Sequence, residues 1–277
     1  MHRLLILAGA LLVLAGCESC GEPAEPADSA EAPSSSMRPG TAVIEGVVRL
    51  APGAELPRET LNPMVAPQNR PELPEHCTPP QERDREPVRQ VRGDHLAGMV
   101  VAVSDFSVEV PHEPVTHEIT IRDCRLTPST IVATRGDRLR LVNETNYPFM
   151  PELGGGMMTA LLHQRDREVE LARAGMRTLA CGFTASCGRA LIVTQYHPLH
   201  AVTDETGRFR IENVPANEEL RIDAWHPLFN EAGEALSLSP GETREIEIVV
   251  TPAPPRPVAP PPIEPPGRAE DNPDILF

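Results

Sequence analysis

The sequence predicts an all-β protein built of antiparallel Greek-key β-sandwiches, and three observations carry that expectation. Proline interrupts most windows of a chain with 32 prolines in 277 residues, so few stretches can sustain a helix. Apolar residues alternate with polar ones at the strand period of two rather than the helical period of 3.6. Many short apolar runs are separated by glycine and proline turns. Only 3% of residues are aromatic, so the core must rest on Val, Ile and Leu.

The chain opens with basic His2 and Arg3 and an apolar run from Leu4 to Leu14. That run suits a signal-peptide core (residues 1–16) and falls short of the roughly 20 residues a membrane-spanning helix needs. Residues 17–40 carry Glu18, Glu22, Glu25, Asp28 and Glu31 against Arg38, with almost nothing apolar. Such a segment buries too little surface to offset its backbone entropy and is expected as a disordered acidic linker. Ala42 to Leu50 is the first strand, and residues 51–95 are a proline-rich, irregular excursion around Cys77. Met99 to Val103 is apolar on both faces, as a central strand would be.

Further strands are expected at His117–Cys124, Thr130–Thr134 and Arg138–Asn143, the last entered through a Gly136-Asp137 turn. Glu168–Leu171, Arg177–Cys181 and Ala190–Thr194 follow, while Pro151–Met158, with its three glycines, is expected as a flexible loop. Asp204-Glu205-Thr206-Gly207 is a tight turn with glycine where positive φ is needed. Phe209 and Ile211, then Leu220, Ile222 and Ala224, then Ile246, Ile248 and Val250 each mark one face of a strand. Residues 252–277 form a disordered, proline-rich tail.

A net charge of −15 argues against a nucleic-acid partner, whose phosphates demand a basic surface, and against a membrane patch held by basic residues. All basic residues are arginine, which reads as codon bias rather than as a site. Cys77, Cys124, Cys181 and Cys187 lie in the folded region, and their spacing allows three pairings. The enzyme classes find no support. His112 and His117 are five apart, and Pro114 between them forbids the helix a zinc-protease motif requires. They read as exposed strand-edge histidines, and His197 and His200 as connector residues. There is no nucleophile elbow, phosphate loop or zinc-spaced cysteine set.

Three stretches resemble known families. Leu14-Ala15-Gly16-Cys17 resembles the lipobox of bacterial lipoproteins, which implies cleavage before Cys17, lipidation of its thiol, and a membrane partner reached through that lipid anchor. Leu126-Thr127-Pro128, Gly136 to Asn143 and Cys181 to Val193 together resemble a cupredoxin, the β-sandwich family of plastocyanin and azurin. The resemblance implies type 1 copper on two histidines, a cysteine and an axial methionine, donors that suit this soft metal. Here the cysteine is kept as Cys181, but Thr184 stands for a histidine, Cys187 for the methionine, and Phe149 or Met150 for the other histidine. Ala201 to Pro215, with Thr203-Asp204, Gly207 and Phe209, resembles the carboxypeptidase regulatory-like domain, a transthyretin-like sandwich; Asn217 replaces its later glycine.

These resemblances imply a cupredoxin-like sandwich (residues 112–196) nested in a transthyretin-like host (41–111 plus 197–251). The expected protein is a non-enzymatic lipoprotein of the cell envelope, on the outer membrane where there is one, serving as a binding or structural module for an envelope protein or ligand. It holds no cofactor. The alternative is a copper-handling or electron-transfer protein using Cys181, Cys187 and Met150 for Cu(I). The cupredoxin resemblance aims Cys181 and Cys187 at one point, implying a disulfide between them and leaving Cys77 with Cys124.

Overall fold

The computed structural model describes residues 40–57, 87–157, 161–162, 164–182 and 187–254. The signal-like run, Cys17, Cys20, Cys77, Thr184 and the tail from residue 255 lie outside the described residues. Every element among the described residues is a strand. The first nine are β1 (Thr41–Leu50), β2 (Arg89–Gln90), β3 (Leu96–Ala97), β4 (Val100–Ser104), β5 (Thr116–Arg122), β6 (Arg125–Thr127), β7 (Thr130–Thr134), β8 (Arg138–Asn143) and β9 (Met150–Leu153). The rest are β10 (Gly156–Met157), β11 (Arg165–Glu170), β12 (Gly175–Gly182), β13 (Arg189–Gln195), β14 (His200–Val202), β15 (Arg208–Pro215), β16 (Glu219–Trp225), β17 (Ala232–Ser237) and β18 (Thr243–Val250).

The all-β expectation holds. One sandwich uses both ends of the described chain: the sheet β15-β1-β18 packs over the sheet β14-β4-β16-β17. Strand β1 buries Ala42, Ile44, Val48 and Leu50 against Val101, Val103, Ile222 and Ala224. Position 46 falls on that same face and is glycine because a Cβ there would sit 2.0 Å from the Ile246 carbonyl oxygen of β18. The second sandwich packs β10-β9-β12-β13-β7 over β11-β8-β5-β6. Its core contains Ile119, Ile121, Leu139, Leu141, Phe149, Leu179 and Ile192. Burying each such side chain contributes on the order of 2 kcal/mol.

Within the expected class the sheets are mixed rather than purely antiparallel. β1 and β18, β5 and β8, and β7 and β13 are parallel neighbours. Alternation of side chains records which face is buried and not the direction of the neighbouring strand. One segment needs correction. Pro151–Met158, expected as a loop, contributes β9 and β10, which pair as a hairpin with Leu153 opposite Gly156. Gly154 and Gly155 at its tip take φ values of 61° and 85°, the left-handed turn that closes a two-residue hairpin. The glycines thus make a strand turn possible instead of preventing strands.

A smaller apolar cluster joins the sandwiches. Val100 of the first meets Val132, Leu191 and Val193 of the second, with Val202 and Trp225 packed against them. Trp225 is the chain's single tryptophan. All described residues belong to one compact unit.

Candidate functional site

Two places bring together residues of chemical interest. The first is the end of β12 and β13. Their last paired residues are Ala180 and Arg189, and immediately beyond them Cys181 and Cys187 form a disulfide with 5.2 Å between α-carbons. Cys187 is fully buried and its carbonyl accepts the Leu126 N–H at 2.9 Å. Cys124 is also in a disulfide, whose partner lies outside the described residues.

Asn143, at the end of β8, builds the neighbouring loop. Fully buried, it donates from Nδ2 to the Tyr147 carbonyl at 2.7 Å, while its Oδ1 accepts the Thr145 hydroxyl at 2.8 Å and the Thr145 N–H at 3.0 Å. The loop so held delivers Phe149 into the core, its ring edge-on to Tyr147 at 5.4 Å. Met150 is placed differently. Register sets Met150 opposite Gly182 and Pro151 opposite Cys181, so Pro151 and Cys181 share the core face and Met150 lies on the other. Cys181 and Cys187 are thus joined to each other, while Met150 starts from the opposite face of the sheet. Among the described residues no group of three or more His, Cys, Asp or Glu is arranged to hold a metal.

The second place is the junction where the chain crosses between sandwiches, and here the sequence expectation is corrected. His112 and His117 are not exposed edge residues. Their side chains are 20% and 25% exposed, and both converge on Asp137, whose carboxylate is 1% exposed. His112 donates from Nε2 to Oδ1 at 2.6 Å and His117 from Nε2 to Oδ2 at 2.8 Å. The Val115 N–H adds a bond to Oδ1 at 3.0 Å and the Thr134 N–H one to Oδ2 at 2.8 Å. Burial alone pushes the Asp137 carboxyl up, but these four donors outweigh it and bring it down to about 2. Pro114 keeps the strap between β4 and β5 extended, which is how histidines five apart reach two oxygens of one carboxylate.

The return connection lies beside it. His200 Nε2 is 3.0 Å from the Thr134 hydroxyl. Burial, then the neighbouring His197, His117 and His112 imidazoles, lower the His200 pKa to about 4 against the opposing pull of Asp137. Phe106 of the strap meets the His197 ring edge-on at 4.9 Å, and Arg135 lies over Tyr196 at 5.7 Å. A cleft of about 670 Å³ opens there, with His112, Phe106, Tyr196 and His197 in its wall.

One local motif went unrecognised in the sequence. His197-Pro198-Leu199 and His226-Pro227-Leu228 are the same tripeptide, and in each the leucine N–H donates to the histidine Nδ1, at 3.3 and 3.2 Å. Proline removes the intervening donor, so the imidazole closes the turn in place of a carbonyl. The repeated tripeptide was the signal that identifies both turns.

No family model and no characterised protein sequence matches this chain. Among solved structures it is similar to a purple cupredoxin from Nitrosopumilus maritimus, at 14% identity over 28% of this chain and 98% of that one, with a TM-score of 0.25. It is also similar to amicyanin from Paracoccus versutus, at 13% identity over 31% of this chain and 86% of that one, with a TM-score of 0.25. A copper-containing nitrite reductase from Thermus scotoductus is similar at 13% identity over 34% of this chain and 25% of that one, with a TM-score of 0.27. Likenesses this slight carry no argument about what the chain does.

Proposed function

We propose that this chain is a non-enzymatic lipoprotein of the bacterial cell envelope, anchored through Cys17, in which a cupredoxin-like sandwich without type 1 copper (residues 112–196) sits within a transthyretin-like host. The observation that carries this reading is the Cys181–Cys187 disulfide. It commits both sulfurs that the cupredoxin resemblance aims at a metal, and Phe149, which with Met150 is one of the two residues where the resemblance expects an imidazole, is packed in the core. The bridge closes a short loop, contributing about 2 kcal/mol in the chain-entropy account, and so serves as a staple where a metal would otherwise tie the loops. Pairing of β1 with both β15 and β18 supports the discontinuous host. What remains is a pair of sandwiches offering surfaces to an envelope protein or ligand, with no cofactor.

The test is spectroscopic and chemical. The purified protein given Cu(II) develops no intense visible absorption, and its Cys181 and Cys187 do not react with a thiol reagent until reduced. A blue chromophore, or free thiols with stoichiometric Cu(I), would replace this reading with a copper-handling one. Changing Cys17→Ser leaves an unlipidated chain that no longer partitions into membranes; unchanged mass and partitioning refute the anchor.

A further inference from the structure

We infer that the junction between the sandwiches is an acid-sensitive latch: one buried carboxylate fastens the outgoing crossing directly and the return through Thr134 and His200, and a proton on His200 favours the opened form. Four of the chain's nine histidines, His112, His117, His197 and His200, lie at this junction. They belong to both crossings. His112 is on the outgoing strap and His117 at the start of β5, while His197 and His200 are on the return. Asp137 ties the first pair directly. Thr134 links His200 of the second, since its N–H is on Asp137 and its hydroxyl is on His200.

The charge balance gives the device its direction. One carboxylate can compensate one imidazolium, and each further proton in the cluster places like charges together in a half-buried space. The other charged groups nearby offer little compensation: Glu212 of β15, which lines a cleft with His112 and Pro198, is already paired with Arg210 at 2.8 Å. Asp105, Glu109 and Glu113 on the strap are exposed to solvent, where water screens them. Arg138 is turned outward to Glu168, and Arg135 adds a cation over Tyr196. Asp223 of β16 shares a sheet face with His200 across Ala102, but its carboxylate is already paired with Arg221 at 2.7 Å. Opening the junction returns His200 to water, where it charges readily; closed, it resists the proton. Acid therefore favours the open form, and the apolar seam of Val100, Val132, Leu191, Val193 and Trp225 is what opening uncovers.

The test is amide hydrogen exchange on the full protein at pH 7 and pH 4.5, corrected for the intrinsic rate. Peptides spanning residues 105–117 and 196–203 should exchange faster than peptides from β1 and β18 at pH 4.5, and about 50-fold faster than they themselves do at pH 7, the factor a His200 proton supplies over that interval. His200→Gln keeps a polar contact for Thr134 but cannot charge, and should match the parent at pH 7 while losing most of the acid gain. Junction peptides that follow β1 and β18 at both pH values would overturn the latch, as would an undiminished gain in His200→Gln. Should that variant not fold, the His200 ring proton titration in the parent decides. A midpoint well below 6.5 that coincides with a red shift of Trp225 emission supports the latch, and an ordinary midpoint with unchanged emission refutes it.

Discussion

Protonation of His226 offers the most direct quantitative check on the packing of the host sandwich. The residue is 4% exposed, its Nδ1 accepts the Leu228 N–H at 3.2 Å, and its ring meets Phe229 edge-on at 6.3 Å. Burial lowers its pKa to about 4. In the unfolded chain the group titrates near 6.5. Above pH 6.5 neither state carries the proton and stability does not depend on this group. Between pH 6.5 and 4 the unfolded chain takes the proton and the folded one refuses it, so stability falls as pH falls; below pH 4 both are charged and the loss levels off. The full difference is about 3 kcal/mol, of which about 2 is realised at pH 4.5. Urea unfolding followed by far-ultraviolet circular dichroism at pH 7.5 and 4.5 measures it, and a loss of that size moves the midpoint by about 1 M. His200 also resists protonation, so the informative quantity is the difference between the parent and His226→Gln, whose amide oxygen can still accept from Leu228. The variant should recover about 2 kcal/mol of the acid loss. Identical pH profiles for the two proteins would refute the burial argument.

Other perturbations test separate parts of the fold. Asn143→Ala removes the amide that donates to the Tyr147, Leu161 and Leu162 carbonyls and accepts from Thr145 in a buried loop, and should cost about 3 kcal/mol in a denaturant titration. The paired change Cys181→Ser and Cys187→Ser should cost about 2 kcal/mol without altering the circular dichroism of the native protein. Gly46→Ala would drive a methyl to 2.0 Å from the Ile246 carbonyl, and should lower the thermal midpoint by several degrees, whereas alanine at Gly156, where a Cβ meets nothing nearer than the Leu153 carbonyl at 3.5 Å, should be much milder. Asp137 is held down to about 2, so its contribution to stability is full above pH 4 and is lost as pH falls toward 2. An Asp137→Asn variant should lack that acid limb in the same titration.

The sequence made the host strands legible where burial is one-sided. Phe209 and Ile211, and Ile246, Ile248 and Val250, are the buried faces of β15 and β18, and Gly207 has the positive φ its turn requires, as does Asn217. Strand β17 left no such trace. Its residues Ala-Gly-Glu-Ala-Leu-Ser are mostly exposed at a sheet edge and hold β16 through the backbone, so no side-chain pattern had to be maintained. The junction was hidden for a different reason. Gly136-Asp137 is a turn by every local signal, and the role of the carboxylate depends on histidines arriving 25 and 20 positions earlier in the chain. The cysteine pair became readable through family resemblance, because spacing alone allowed three pairings.

The placement of β1 has a consequence for the order of assembly. It lies in the middle of its sheet, yet its flanking strands come from the far end of the chain: the Glu45–Arg210 and Arg49–Glu247 ion pairs join residues 165 and 198 positions apart. A chain emerging from its N-terminus makes β1 first and must then wait, with both edges open, until nearly all the rest has appeared. Everything between β5 and β13 can meanwhile find partners among near neighbours in the chain. Such long-range closure is slow, and an unpaired strand edge is a template for another chain while it lasts. The host sheet is thus the last part to form, and the inserted sandwich, already complete, brings β14 and the strands after it back toward the waiting β1.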